Sequence, residues 1–298
     1  MKEGLRGLVV CILGGNFREI QLIRRLLAEK ALVKLVGYPP LNELAGTIRE
    51  TGISKGMLGA SVIIVGMGKL DIGTKIKTLD PELNLNFTVD VLKSIPKGRL
   101  LLVGTAGSEF RELALKYGIN LVEVMENDEV AIKNSIPTAE GALQIAMTEM
   151  PITIHGCNAI VLGFGRVGIT MARVLLSLSA NTVVCARSYS QLARASEMGA
   201  LALHISSLSS ALSDTDVVFN TIPSTVLTDQ ILENMKPGSL IIDLASAPGG
   251  TDFDAAARLG IKAILASGLP GKTAPKTAGK ILADAILRLI KERLDNPR

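Results

Sequence analysis

The segment Ala159-Ile-Val-Leu-Gly-Phe-Gly-Arg-Val-Gly168 is an apolar run followed at once by three spaced glycines, and it is the clearest indication of the fold class. The apolar residues predict a buried strand, and the residues after them have the spacing of an amphipathic helix. In such a strand–turn–helix, Gly163 permits a tight turn, Gly165 lets the backbone approach a pyrophosphate, and Gly168 lets the helix pack on the strand. The N–H groups at the start of the helix then attract the phosphates. We predict a dinucleotide site, with a plain strand-to-helix turn as the alternative; its residues are Gly163, Phe164, Gly165, Arg166, Val167 and Gly168.

The end of the next predicted strand, Thr182–Ala186, bears on which dinucleotide is bound. Arg187 and Ser188 follow this strand. A site for NAD would place Asp or Glu here, about 20 residues beyond the glycines, to bind the 2′-hydroxyl of the ribose. A guanidinium and a hydroxyl instead suit the 2′-phosphate of NADP. The sequence favours NADP, although Arg187 could be a solvated loop arginine and Ser188 a helix N-cap.

Strand-like and helix-like segments alternate along the whole chain, which predicts an α/β fold of two Rossmann-like, doubly wound parallel-sheet domains flanking a cleft. We expect a flavodoxin-like substrate domain over residues 1–136 and an NADP-binding Rossmann domain over 137–298. A helix is predicted to begin at Pro137, because proline suits the first turn of a helix. The last helix, at about 275–294, could pack back on the N-terminal domain.

Composition excludes several classes of protein. Hydrophobic residues make up 48% and charged residues 20% of the 298 residues, which excludes a disordered chain. Aromatic residues are only 3% and the net charge is +4, which argues against a nucleic-acid partner. No apolar run approaches the about 20 residues that a membrane span needs.

The cysteines and the start of the chain indicate the compartment. Cys11, Cys157 and Cys185 are odd in number and lie in or beside strand-like runs, so we expect buried, reduced thiols. The apolar run Leu8–Leu13 ends in glycines without a cleavage site, so it predicts a first strand rather than a signal peptide. Both features favour a cytoplasmic protein.

Several further runs carry a resemblance to a known family, and together they are more specific than the glycine motif. With Gly163–Gly168 and Ala186–Ser188, the chain resembles the A subunits of dipicolinate synthase. The other runs that carry the resemblance are Asn134-Ser-Ile-Pro-Thr-Ala-Glu-Gly141, Thr153-Ile-His-Gly156, Asn220-Thr-Ile-Pro-Ser224, Asp243-Leu-Ala-Ser246, Pro248-Gly-Gly-Thr-Asp-Phe253, Gly268-Leu-Pro-Gly271 and Ala274-Pro-Lys-Thr-Ala-Gly279.

This resemblance implies a function. Members of the family oxidise dihydrodipicolinate, which derives from a branch of the diaminopimelate pathway, to dipicolinate with NADP as hydride acceptor. The product fills bacterial endospores as its calcium chelate. The resemblance further implies the mother-cell cytoplasm as location and, as partner, one of the flavoprotein-like B subunits of dipicolinate synthase. We also expect a homo-oligomer.

The substrate would be a small dicarboxylate, so hydroxyls, N–H groups and at least one cation should surround it. Cofactor contacts are expected from Thr221, Ile222, Pro223 and Ala245, which follow predicted strands of the second domain. Substrate contacts are expected from Asn16, Arg18, Asn134, Ser135, Thr138, Ser246 and Lys276. We place Asn134, Ser135 and Thr138 beside a helix N-terminus that can hold an anion. Arg18 and Lys276 could instead be solvated surface residues, and Ser135 a helix N-cap.

No proton acceptor stands out from the sequence. Lys276, Asp243 and His155 are candidates for a catalytic group, and Asp128 and Glu140 are further acids; water could also take the proton. The chain has only two histidines, and His204 is expected in the core or on the surface, far from the motif loops. No metal site is predicted, because His155 has no partner at ligand spacing.

Two other functions fit the same two-domain plan. One is a different NADP-dependent dehydrogenase, of the 2-hydroxy acid or methylenetetrahydrofolate type, although a 2-hydroxy acid enzyme would need a histidine with a supporting acid. The other is a non-catalytic NADP sensor. The fold alone does not separate them.

Overall fold

The computed structural model describes residues 4–295, and the chain divides into two units. The first unit comprises the residues up to Lys133 together with those from Pro275 onward, and the second comprises Asn134–Ala274. The boundary expected from the sequence, between residues 136 and 137, lies three residues beyond this division.

The first unit is built on a six-stranded parallel sheet. Its elements up to the division are β1 (Val9–Leu13), α1 (Phe17–Ala28), β2 (Leu32–Val36), β3 (Ile48–Glu50), α2 (Ile53–Met57), β4 (Val62–Val65), β5 (Lys69–Leu70), β6 (Thr74–Ile76), β7 (Leu85–Phe87), α3 (Val89–Ser94), β8 (Leu100–Val103), β9 (Thr105–Ala106), α4 (Ser108–Lys116) and β10 (Asn120–Glu123), with 3-10 turns at Asn42–Leu44 and Val124–Glu126.

The strand order of this sheet is β10-β8-β4-β1-β2-β3. The five strands predicted from the sequence are β1, β2, β4, β8 and β10, and they lie in the flavodoxin-like order. All residues of β4 and β8 are buried, as expected for parallel strands that are covered on both faces. The sixth strand, β3, extends the edge; its sequence Ile-Arg-Glu is short and polar and gave no strand signal.

A long helix, α5 (Asp128–Glu149), passes from the first unit into the second. The prediction that this helix begins at Pro137 is wrong. The side-chain oxygen of Asn127 accepts the backbone N–H groups of Glu129 and Val130 and so starts the helix earlier. Pro137 lies in the interior, where it has no N–H for the carbonyl of Lys133. The two units divide next to this missing hydrogen bond.

The last helix, α12 (Pro275–Asp295), belongs to the first unit and packs along α1. A Cβ at Gly279 would lie 2.6 Å from the backbone oxygen of Arg18, so the two helices approach closely at their starts. Nearer their ends, Lys291 Nζ lies 3.0 Å from Glu29 Oε1. The two helices therefore run in the same direction, with both N-termini at the carboxyl edge of the sheet.

The second unit contains another six-stranded parallel sheet, in the order β13-β12-β11-β14-β15-β16. This is the strand order of a dinucleotide-binding fold, and the predicted class of two doubly wound parallel sheets is confirmed. Its elements are β11 (Asn158–Leu162), α6 (Arg166–Ser177), β12 (Asn181–Ala186), α7 (Tyr189–Glu197), β13 (Leu201–His204), a 3-10 turn (Ile205–Ser207), α8 (Leu208–Leu212), β14 (Val217–Asn220), α9 (Asp229–Leu232), β15 (Leu240–Asp243), α10 (Phe253–Arg258), β16 (Lys262–Leu265) and α11 (Leu269–Thr273).

The three cysteines are free thiols and all are buried, as predicted. Burial raises the pKa of Cys11 and that of Cys185 to about 12. Across residues 4–295, no helix combines the length and apolar character that a membrane span requires.

Candidate functional site

The glycine turn after β11 has the geometry that its sequence predicts. Gly163 has a φ of +86°, a region that favours glycine, and a Cβ there would lie 2.6 Å from the hydroxyl of Thr221. A Cβ at Gly168 would lie 2.1 Å from the carbonyl oxygen of Gly163, so helix and turn are in direct contact. A Cβ at Gly165 would meet no atom within 4 Å. Packing therefore explains why glycine is required at positions 163 and 168, whereas the absence of a side chain at Gly165 leaves open space beside the turn.

The start of α6 is open to an anion. Gly165 occupies the N-cap position and has no side chain to accept a hydrogen bond from the first turn. The helix is 12 residues long, and its first N–H groups and dipole favour negative charge. The amide of Gln191, from α7, donates to the carbonyl of Phe164 at 3.1 Å and holds the turn in place. The residues present thus fit the pyrophosphate of a dinucleotide.

The loop after β12 carries the residues predicted to bind the ribose end. Arg187 and Ser188 are both exposed. Ser188 occupies the N-cap position of α7, but its hydroxyl makes no capping hydrogen bond and lies 2.7 Å from the hydroxyl of Ser190. A guanidinium and a hydroxyl therefore lie in this loop, a second hydroxyl lies in the first turn of α7, and no carboxylate follows β12 where an NAD site would need one.

His204 ends β13 at the same edge of the sheet, and its ring stacks on Tyr189 with 5.8 Å between ring centroids. The expectation that His204 lies far from the motif loops is wrong. Its Nδ1 lies 2.8 Å from the hydroxyl of Ser206, which fixes the ring. Because the loops that follow neighbouring parallel strands lie at one edge of the sheet, the proximity of His204 and Tyr189 could have been predicted from the ends of β12 and β13.

The ends of β14 and β15 form the other side of the site. The Thr221 hydroxyl donates to the carbonyl of Leu162 at 2.8 Å, so it braces the glycine turn. Asn220 is buried; its Oδ1 accepts the N–H of Ile222, and its Nδ2 donates to the carbonyl of the same residue. Pro223, which follows these two hydrogen bonds in the chain, is exposed. Of the three predicted cofactor residues after β14, Thr221 and Ile222 thus lie directly beside the glycine turn.

Asp243, a candidate catalytic group, is fully buried at the end of β15. Its carboxylate accepts the N–H groups of Ala245 and Gly250 at 3.0 and 2.8 Å and the hydroxyl of Thr251 at 2.7 Å. These hydrogen bonds explain why Asp243 is needed in the fold, since they shape the loop that follows β15. They favour a positioning role over proton transfer. Ser246, predicted to bind substrate, is exposed in this loop.

The environment predicted for Asn134, Ser135 and Thr138 is wrong, because these residues lie within α5 and not beside a helix N-terminus. The hydroxyl of Thr138 donates to the carbonyl of Asn134 at 2.8 Å. Ser135 is buried, with its hydroxyl 2.6 Å from that of Thr170 on α6. The amide of Asn134 is buried without a hydrogen-bond partner among the described residues. Ser135 therefore links α5 to the cofactor helix, and Asn134 keeps an unused buried amide.

The candidates in the first unit gather at the carboxyl edge of its sheet. Asn16 caps α1 and forms a capping box with Glu19. Arg18 follows in the first turn of α1, and its Nε donates to the side-chain oxygen of Asn16 at 3.1 Å. Lys276 is exposed in the first turn of α12, one turn before the close approach of Gly279 to α1. Both cations therefore belong to one edge of this unit.

The remaining candidates for a proton acceptor lie elsewhere. His155 precedes β11 and is exposed at the amino edge of the sheet. The strand separates it from the glycine turn by more than about 15 Å, so the structure does not support His155 as the acceptor at this site. Glu140 is exposed on α5, and Asp128 is the first residue of that helix. Residues 4–295 contain no group of three side chains that could hold a metal ion.

Comparisons with known proteins identify the class of fold. The family model for the N-terminal domain of dipicolinate synthase A subunits matches residues 9–125, and "Alanine dehydrogenase/PNT, C-terminal domain" matches residues 130–297. A solved L-alanine dehydrogenase shares the fold, with a TM-score of 0.65 at 13% identity over 97% of this chain and 90% of that one. The molecule is thus a two-domain protein of the dehydrogenase fold, and its second domain belongs to a family that binds nicotinamide cofactors.

The particular family follows from closer relatives, which are A subunits of dipicolinate synthase. The relative from Bacillus subtilis (strain 168) is 38% identical over 97% of both chains. The crystal structure of the relative from Bacillus halodurans has a TM-score of 0.91 at 39% identity over 96% of this chain and 99% of its own. The chain belongs to the family of dipicolinate synthase A subunits, which confirms the resemblance seen in its sequence. The family and the dehydrogenase-type domains support an oxidoreductase role.

Proposed function

We propose that this chain oxidises dihydrodipicolinate to dipicolinate with NADP as hydride acceptor, for the formation of bacterial endospores. Family membership supports the reaction, because the relatives that cover nearly the whole chain are named as A subunits of dipicolinate synthase. That name also supports a second kind of subunit, of the B type, as partner. A homo-oligomer and a place in the mother-cell cytoplasm belong to the same proposal.

The observation that carries the choice of NADP is the loop after β12, which offers Arg187 and Ser188 and no carboxylate. Arg187 would pair with the 2′-phosphate through two parallel N–H groups, with the Ser188 hydroxyl as a second donor. The turn around Gly165 and the start of α6 would hold the pyrophosphate. Thr221, Ile222, Pro223 and Ala245 would border the nicotinamide half. When bound, the oxidised nicotinamide supplies a hydride acceptor.

The chemistry asks little of the protein beyond binding and orientation. Loss of a hydride and a proton converts the dihydropyridine ring to an aromatic pyridine, which favours the products. The chain must hold the ring at a fixed distance from the hydride acceptor and exclude competing water. Lys276, which is exposed, and Arg18, which is half-buried, are proposed as cations near the dianionic substrate, and the released proton can pass to water. Asn16, Asn134, Ser135, Thr138 and Ser246 stay predictions as substrate contacts.

An assay of the purified protein tests the proposal. The cyclic precursor of the diaminopimelate branch is generated freshly and mixed with protein and NADP or NAD, with and without the B-type subunit. Nicotinamide reduction and pyridine product are followed together, and heat-inactivated protein corrects for spontaneous oxidation of the dihydropyridine. We expect both signals to rise in parallel, and faster with NADP. Cofactor binding without turnover, even with the B-type subunit present, would refute the reaction and favour an NADP sensor.

A further inference from the structure

A small cavity lies within the first unit, at the carboxyl edge of its sheet. It has a volume of about 210 Å³ and lies between the turn after β1, the segment after β4 and the strand β6. Ligands of open α/β sheets bind at this edge. Cavities for drug-sized ligands measure about 300–1,000 Å³, so this cavity is too small for a dinucleotide and suits a compact metabolite.

The walls of the cavity are rigid because backbone packs directly on backbone. A Cβ at Gly66, after β4, would lie 2.8 Å from the Cα of Gly15, after β1. The buried carboxylate of Glu19 joins the two segments, since it accepts the N–H of Asn16 at 2.7 Å and that of Met67 at 3.0 Å. The segments around the cavity therefore keep their spacing without a ligand.

Tyr38 stabilises the turn after β1 through a hydrogen bond. Its hydroxyl donates to the carbonyl of Gly14 at 2.8 Å. Burial and the neighbouring Glu19 hold the pKa of Tyr38 well above its usual value, so the hydroxyl stays a neutral donor. The hydrogen bond between Tyr38 and Gly14 is consequently kept across the physiological pH range.

The lining of the cavity is strongly basic. Arg18, Lys69, Lys75 and Lys77 line it, and among residues 4–295 no acidic side chain does so. Lys69 is paired with Asp71 at 3.0 Å. Within residues 4–295, by contrast, Lys75 and Lys77 form no ion pair, and the terminal nitrogens of Arg18 have no hydrogen-bond partner. Three cations without an ion-pair partner among the described residues thus line the cavity, and the buried Glu19 carboxylate in its wall accepts backbone N–H groups instead.

The two lysines are placed as a pair. Both are exposed and flank Ile76, whose side chain is buried, so they lie together on the solvent-facing side of the extended segment. Residues two apart in a strand are separated by roughly 7 Å, which lets each ammonium group meet a different carboxylate on one small ring. The carbonyl of Lys77 accepts the N–H of Gly15 at 2.7 Å, and this hydrogen bond fixes the segment against the turn.

We propose that this cavity is where the chain recognises a small cyclic dicarboxylate, with Lys75 and Lys77 each binding one carboxylate and Arg18 supplying a two-pronged contact to one of them. The inference rests on the proposed function, and it adds the residues that distinguish two carboxylates from one. A monocarboxylate of the same ring would use only one lysine and would bind more weakly.

Binding measurements on the full chain with NADP present test this assignment. Titration calorimetry compares pyridine-2,6-dicarboxylate with pyridine-2-carboxylate on wild type, Lys75→Gln, Lys77→Gln and the double variant. Each single variant should bind the dicarboxylate at least tenfold more weakly, and the preference for two carboxylates over one should nearly vanish in the double variant. Lys116→Gln is the matched control, because Lys116 is exposed at the end of α4, at the opposite edge of the sheet. Thermal unfolding and NADP titration establish that each variant is folded.

The outcomes separate this inference from the proposed function. If wild type oxidises the dihydropyridine and both lysine variants keep the wild-type KM and dicarboxylate affinity, the assignment of this cavity is refuted and the function stands. If wild type neither turns over nor binds any pyridine carboxylate, both fail together. A rise in KM for the lysine variants, with NADP affinity unchanged, supports the assignment.

Discussion

Replacing Arg187 by glutamine tests how the chain selects its cofactor. The substitution keeps a polar side chain in the exposed loop after β12 and removes the charge. A hydrogen bond to a charged group contributes about 1.5–3 kcal/mol. Because Arg187 is exposed and screened by water, we take the lower limit, about 1.5 kcal/mol, which corresponds to roughly a tenfold loss of affinity for NADP. NAD lacks the 2′-phosphate, so its affinity should stay within about twofold.

The assay is a titration of each cofactor with fluorescence of the bound, reduced nicotinamide as readout, repeated at low and high salt. Arg194→Gln serves as control, because it removes the same charge from α7, where Arg194 forms an exposed ion pair with Glu197 at 2.9 Å. We expect the NADP affinity of the control to match wild type. Equal losses for NAD and NADP in Arg187→Gln, or no loss for either, would refute the interpretation of this loop as a 2′-phosphate site.

Three further predictions concern the glycine turn, the loop after β15 and the buried thiols. Gly165→Ala should keep the wild-type melting temperature, because its Cβ would meet no protein atom within 4 Å. It should bind nucleotide poorly, because the same Cβ would occupy the space proposed for the pyrophosphate. Gly168→Ala should lose about 1–3 kcal/mol of unfolding free energy, since its Cβ would lie 2.1 Å from a backbone oxygen; equal melting temperatures for the two variants would contradict this. Asp243→Ala leaves three buried donors without their acceptor, and urea unfolding should show a loss of at least about 3 kcal/mol. Burial raises the pKa of Cys11 and that of Cys185 from 9.0 to about 12, so their contribution to stability is intact below pH 9 and declines as the pH rises from 9 towards 12, by about 1.4 kcal/mol per pH unit for each thiol. Urea midpoints across this pH range should fall less steeply in the double Cys→Ala variant.

The sequence predicted the central strands well, because a parallel strand buried on both faces is apolar along its whole length. Val62–Val65 and Leu100–Val103 are such strands, and all their residues are buried. Edge strands such as Ile48–Glu50 lack this signal, since half of their environment is water. The start of α5 was mistaken because Pro137 also suits a first turn, whereas the cap that starts the helix is Asn127, a residue of a type common in loops.

The parts of the candidate site that depend on local backbone geometry could be predicted from the sequence, whereas the hydrogen-bond partners of buried side chains could not. The glycine turn could be predicted, because each glycine answers to a local requirement. Ser135 and Thr138 both looked like available hydroxyls, yet one pairs with a residue 35 positions away and the other with its own helix. Partners that distant follow from tertiary packing, which spacing along one sequence does not encode. The proposal for Lys75 and Lys77 likewise needed the structure, since surface lysines are common and the cavity is what distinguishes these two.

The two units repeat one strand–turn–helix arrangement but close the start of the helix differently. In the first unit, Asn16 accepts the N–H of Arg18 and Glu19 accepts the N–H of Asn16, so a capping box occupies groups that could otherwise bind an anion. In the second unit, Gly165 brings no side chain, and the first turn of α6 stays open. A pyrophosphate needs backbone donors over an open turn, whereas separate carboxylates on a small ring can be met by side chains. Under the proposals above, the difference between Asn16 and Gly165 at equivalent N-cap positions thus explains the two kinds of site. The second unit binds the nucleotide with backbone N–H groups, and the first binds its ligand with lysine and arginine side chains.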